Sequence, residues 1–147
     1  SRYELAKSLV ENISSSGTAL AYNMSFEKTI IRKLANIYGE FTYDLMNIHN
    51  NMQDLMTPFQ KRWFVTPAMK GSYSIKYVLP ALVPEFEKAY KDLELVHNGS
   101  EAMDVYANLK NLSDEEKIVY KKALLEYCKL DTLAMVRILE VLRRTKI

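Results

Sequence analysis

Cysteine, histidine and glycine are scarce in this sequence, and each scarcity excludes something. A single cysteine, Cys128, stands among 147 residues. No internal disulfide can form, and a reducing compartment, the cytoplasm, is expected. Cys128 lies in an apolar helical stretch with no histidine near it in sequence, which is a poor setting for a thiol nucleophile. The two histidines, His49 and His97, are far apart, and no cysteine or carboxylate sits at zinc-ligand spacing from either. A zinc site is not expected. No glycine-rich phosphate loop is present; Gly71 stands alone. Long apolar runs are missing too. None approaches the ~18 residues of a membrane span, and the first residues do not read as a signal peptide. No membrane partner is expected. Nor does one sign of charge dominate: the net charge is +2, so a nucleic-acid partner must be argued from local clusters.

What is present is an ordinary globular balance, 48% hydrophobic and 26% charged, long enough to bury a real core. Residues 1–147 are read as a single domain. The sequence opens on Ser1 rather than methionine, as expected of a piece cut from something longer. Four Asn-x-Ser sequons start at Asn12, Asn23, Asn98 and Asn111. Without a secretory signal they are read as chance in a chain rich in Asn and Ser.

Periodicity predicts a mostly helical chain. Leu5, Leu9, Val10 and Ile13 make an amphipathic first helix that "SSSG" ends. "TALAY" reads as a short buried strand of about five residues. Ser25 is the expected cap of a second helix in which Phe26, Ile30, Ile31, Leu34 and Ile37 share a face, closed by Gly39. "FTYDLMNIHNN" is another short helix, "MQDLM" a second strand, and Thr57-Pro58 a helix start. From Trp63 to Tyr90 the prolines and Gly71 leave loops and one short helix near "SIKYVL". Ser100 is expected to cap "EAMDVYANL". Ser113 with Glu116 forms a capping box for a final helix that runs to about Thr145, any kink falling near Lys129. Arg143, Arg144 and Lys146 suit the negative end of its dipole.

Three constellations can carry chemistry. In "AYNMSFE" a strand delivers Tyr22 and Asn23 to its carboxyl end, and a helix carrying Glu27 begins at once. Ligands collect at such ends in open α/β sheets. The plainer account is that Asn, Ser and Glu are what any helix N-terminus prefers. Tyr127 and Asp131, spaced i, i+4, place a phenol above a carboxylate on one helix face. A hard cation wants the carboxylate, and the phenol can orient a water. The plainer account makes Tyr127 a core aromatic and Asp131 a cap within a kinked helix. Finally, Lys61, Arg62, Lys70 and Lys76 interleave with Phe59, Trp63, Phe64, Tyr73 and Tyr77. Cations for phosphates and rings for bases suit single-stranded nucleic acid, with Asn23, Lys61, Arg62, Trp63, Ser74 and Lys76 as the contacts. The alternative is a solvated loop whose rings tuck inward.

The order "YNMSFE", "MQDLM", "GSYSIKYVLPAL", "EYCKLDT" resembles the later two-thirds of a bacterial domain of unknown function in the RNase H-like superfamily, related to the DEDD-type 3′–5′ exonucleases. The resemblance covers nearly the whole chain. Asn23, Phe26 and Glu27 match the second exonuclease motif, with Glu where most of the superfamily has Asp. Tyr127 and Asp131 match the third motif of the tyrosine-bearing subgroup. The resemblance implies a partial α/β RNase H-like fold, predominantly helical here with two or so short strands. It also implies a two-metal site for Mg²⁺ or Mn²⁺. In that site Asp131 and Glu27 are ligands and Tyr127 orients the attacking water. "GSYSIK" is similar to the segment that leads into the substrate-side helix; Asp54 receives no role.

The first exonuclease motif, an Asp-x-Glu on the opening strand, is missing. Upstream of Asn23 the acids are Glu4 and Glu11, both in the first helix. Asp92-Leu93-Glu94 and Asp114-Glu115-Glu116 have the spacing but come too late in the chain. Two carboxylates are too few for Mg²⁺, so the isolated chain is expected to bind it weakly and to leave nucleic acid uncut. The resemblance also implies that the first three strands form the middle of the sheet. Without them an exposed edge near residue 20 invites another chain, and a strand-swapped or other homo-oligomer is expected. The competing function is a non-catalytic module that binds a protein or nucleic acid.

Overall fold

Helix α1 (Arg2–Asn12) starts on a capping box not anticipated from the sequence, with Ser1 and Glu4 satisfying each other's backbone amides. It leads into strand β1 (Leu20–Ala21), helix α2 (Ser25–Ile37) and helix α3 (Thr42–Asn50). Strand β2 (Gln53–Asp54) and the one-turn helix α4 (Thr57–Gln60) follow. In this computed structural model, which describes residues 1–145, these elements belong to the first of two compact units, Ser1–Trp63.

β1 and β2 pair in parallel, Leu20 opposite Gln53 and Ala21 opposite Asp54. The helices α2 and α3 supply the crossover that a parallel pair requires. Each expected five-residue strand shrinks to two residues. A short parallel ladder is all that one partner strand can sustain, because parallel sheets depend on cover and neighbours. The unit's core is instead mostly helical. Ala6 from α1, Ile31, Leu34 and Ala35 from α2, and Leu45 and Ile48 from α3 are buried together with Ala21 and Met52. Leu45 and Ala6 are fully buried. A side chain of leucine size contributes roughly 1.5–3 kcal/mol on burial.

Several local expectations change. Ser25 is the first residue of α2, not its cap, and Met24 at the cap makes no side-chain bond. Ile31 and Leu34 are buried as expected, but Phe26 is 70% exposed and Ile37 55% exposed. These two sit at opposite ends of the helix. α2 ends at Ile37, and Gly39 opens a short 3-10 turn. Thr57 is likewise the first helical residue of α4, with Pro58 second.

The second unit begins at Phe64. It contains helices α5 (Ile75–Leu82), α6 (Glu85–Lys91), α7 (Gly99–Asn108) and α8 (Asp114–Arg144). α6 was not anticipated, although Glu85 and Glu87 in its first turn and Lys88 and Lys91 in its last suit the helix dipole. The cap of α7 is Asn98, which accepts from the Glu101 amide; Ser100 is already helical. α8 begins on the expected Ser113–Glu116 capping box and runs 31 residues. The Ser113 amide and hydroxyl hold the Glu116 carboxyl below its usual range. Arg143 and Arg144 occupy its last turn; Lys146 lies outside the described residues. α5, α6 and α7 all pack on α8. The buried residues are Met69, Val78, Leu79, Val83, Phe86, Val96, Ala134 and Ile138. The chain is thus predominantly helical with two short parallel strands. No helix among the described residues is long and apolar enough to cross a membrane.

Candidate functional site

α8 turns one stripe inward, at i, i+4, i+7 and i+11: Tyr127, Asp131, Ala134 and Ile138. Ala134 and Ile138 are buried, Tyr127 and Asp131 half-buried. α6 brings Tyr90 against this stripe. The Tyr90 hydroxyl donates to Asp131 Oδ1 at 2.5 Å, a length typical of a charge-assisted bond to a carboxylate. The Tyr90 and Tyr127 rings lie 6.0 Å apart, tilted by 57°. Phe86 stands 6.4 Å from Tyr90 on the same helix. Burial, then the hydrogen bond and charge of Asp131, push the Tyr90 phenol far above its ordinary range. Burial, then the Asp131 charge, do the same to Tyr127. Both phenols are therefore protonated donors near neutral pH, not bases.

These groups open onto a cleft of about 480 Å³ lined by α5, α6, α8 and the start of α7. Lys76, Leu79 and Pro80 come from α5. Lys91 is paired with Glu87 at 3.1 Å. His97, whose Nδ1 lies 2.9 Å from Glu101 Oε2, also gives its backbone N–H to that carboxylate. The backbone bond, then the ring, hold Glu101 below the usual carboxylate range. His97 thus serves the start of α7. The cleft gathers Tyr127, Asp131 and Lys76 from the expected site residues, and it adds Tyr90, which no sequence signal marked.

Asn23 and Glu27 lie in the first unit. Asn23 follows β1 in the left-handed region, at φ 60°, which asparagine tolerates better than most residues. Its amide and that of Met24 donate to Asp54 Oδ1 and Oδ2, at 2.8 and 3.0 Å. Asp54 Oδ1 also accepts from the Met56 amide at 2.9 Å. One carboxylate at the carboxyl end of β2 therefore ties down the entry to α2. It replaces the cap assigned to Ser25 and gives Asp54 a structural role. Glu27, one turn on, is half-buried, and its buried Oε2 has no hydrogen-bond partner among the described residues.

The nucleic-acid set is divided between the units. Lys61, Arg62 and Trp63 end the first, all exposed, with Lys61 Nζ 5.1 Å from the Trp63 ring centre. One face of the indole is thereby occupied by a cation. Phe59 is 2% exposed, so this ring does tuck inward. Ser74 caps α5, accepting from the Lys76 amide at 3.4 Å. His49 is buried, with Nε2 3.1 Å from Arg32 Nη2 and Nδ1 3.0 Å from Asn50 Oδ1. A guanidinium only donates, so Nε2 accepts and Nδ1 carries the proton.

Among the described residues no three His, Cys, Asp or Glu side chains form a metal-holding group. Glu27 belongs to the first unit and Asp131 to the second, where its Oδ1 already accepts from Tyr90.

Comparison with known proteins adds the following. An uncharacterized protein, UU173, of Ureaplasma parvum serovar 3 is 37% identical over 84 residues, 53% of this chain and 12% of that protein. The chain thus spans a small part of the length of the curated relative it matches. No solved structure matches. Residues 1–74 match the family described as a domain of unknown function, DUF2779. On that match, which takes in half of its length, the chain belongs to the DUF2779 family.

Proposed function

We propose that this chain is the C-terminal portion of an RNase H-like domain of the DEDD exonuclease type. The complete protein would hydrolyse phosphodiesters of single-stranded nucleic acid from an end, in the 3′–5′ direction. The observation that supports this reading is the cleft in which Tyr127 stands one turn before a half-buried Asp131. The entry to Glu27 at the carboxyl end of a parallel strand is consistent with it. Asp131 and Glu27 are the ligands this chain contributes for Mg²⁺ or Mn²⁺, and a missing Asp-x-Glu pair completes the set. Bound there, the cations would supply charge stabilisation to an in-line displacement. Tyr127, protonated, donates to and orients the water. Lys76, on the cleft wall, meets a phosphate oxygen.

The test is the complete gene product with a single-stranded oligonucleotide labelled at one end. Degradation that needs Mn²⁺ or Mg²⁺ is expected, with a loss of at least a hundredfold on Asp131→Ala and on Glu27→Ala. The 147-residue chain alone should not degrade it. Activity in the isolated chain that vanishes in Asp131→Ala would contradict the incomplete site.

A second reading, a non-catalytic module binding a protein or nucleic acid, is favoured by exposed Trp63 with Lys61 against its ring. Under it, the complete protein is indifferent to both substitutions. If nucleic acid is the partner, affinity falls steeply with salt.

A further inference from the structure

We propose that the groove between the α6–α7 connection and the first half of α8 docks a basic amphipathic helix of another protein. The groove has a volume of about 430 Å³ and lies wholly within the second unit. It shares no lining residue with the Asp131 cleft. Its apolar lining is Leu93, Leu95 and Val96 on one side, with Ile118, Val119 and Ala123 of α8 on the other. Val96 is buried, but Ile118 is 70% and Val119 54% exposed. Leu125, two turns after Ile118 and 70% exposed, extends this apolar edge along α8. Single exposed apolar side chains are common; several gathered around one concavity mark a contact surface. The charge at the rim selects the occupant. Asp92, Glu94 and Glu126 border the groove against one lysine, Lys122. Glu115 stands one turn before Val119 on the same helix face. The nearby Lys91 and Lys117 are taken by Glu87 and Asp114. No ion pair among the described residues engages the four carboxylates of the rim. The chain as a whole carries +2, so the acidic rim is a local reversal of sign. It repels nucleic acid and anionic lipid, and it complements lysines or arginines that flank an apolar stripe. A helix enters such a groove with apolar anchors at i, i+3 or i+4, and i+7. Its flanking cations then reach Glu94 on one wall and Glu126 on the other.

The experiment uses the complete gene product and two fluorescein-labelled model peptides, each about 18 residues or five helical turns long. One is an amphipathic helix of leucine and lysine, the other of leucine and glutamate. Fluorescence anisotropy measures the affinity of each. The Leu–Lys peptide should bind saturably, and about tenfold or more tighter than the Leu–Glu peptide. Two variants locate the binding, and thermal unfolding checks that each is folded. Ile118→Ser with Val119→Ser removes exposed apolar surface and should weaken the Leu–Lys complex by about tenfold or more. Glu94→Lys with Glu126→Lys keeps that surface and reverses the rim, so the preference should pass to the Leu–Glu peptide. Equal affinity for the two peptides, or Leu–Lys binding that neither variant weakens, would overturn the proposal. So would a complete protein that is dimeric by light scattering and becomes monomeric on Ile118→Ser with Val119→Ser, since a second copy then fills the groove.

Discussion

Asp131 sits on an inward stripe whose next members, Ala134 and Ile138, are fully buried. A carboxylate there must have a partner, because an unpaired buried charge costs several kcal/mol. The partner is Tyr90, 41 residues away in sequence. The phenols carry a pH signature. Tyr22, Tyr90 and Tyr127 are all pushed above the ordinary value of 10.0, in each case first by burial. A phenol whose folded pKa is raised contributes stability that is full below that ordinary value. The contribution falls as the pH rises through the higher folded values. Of ten tyrosines, an absorbance titration at pH 11 should therefore find clearly fewer than ten ionised. The remainder should appear together as the protein unfolds. Ten phenolates in a still-folded protein would contradict the burial of these rings.

At the scale of elements, the start of α2 shows how a helix can be begun by a residue thirty positions away. Met24 lacks a capping side chain, and Asp54 accepts the amides of Asn23, Met24 and Met56 in its place. Asp54→Ala should lower stability by about 2–3 kcal/mol, since amides facing a carboxylate lose their acceptor. Urea unfolding followed by circular dichroism measures it. A change below about 0.5 kcal/mol would mean that water replaces the carboxylate without cost. The Ser113 capping box and the one-turn spacing of Tyr127 and Asp131 are local, and both were legible in the sequence; the Ser1 box, equally local, was passed over. Asp54 was legible only as an acid after a strand. Its partners lie on another element, so no window of sequence contains the bond. The exposure of Phe26 and Ile37 was hidden for the same reason. Periodicity says which residues share a face, not which of them another element covers.

For the whole molecule, the two-residue strands leave each strand one edge without a ladder partner among the described residues. Such edges recruit strands. If the sheet is a fragment of a larger one, the isolated chain should self-associate. Light scattering after gel filtration is expected to give a mass above that of one chain. A strictly single-chain mass at high concentration would show that the edge is covered by the chain itself. Composition and periodicity determined that this chain is helical, that no disulfide can form within its 147 residues, and that one phenol and one carboxylate share a face of its last helix. Those properties follow from local geometry and from which atoms the side chains carry. The tertiary structure alone decided that Tyr90 holds Asp131, that Asp54 starts α2, and that the strands stop after two residues. Each of these depends on chain segments far apart in sequence meeting in space.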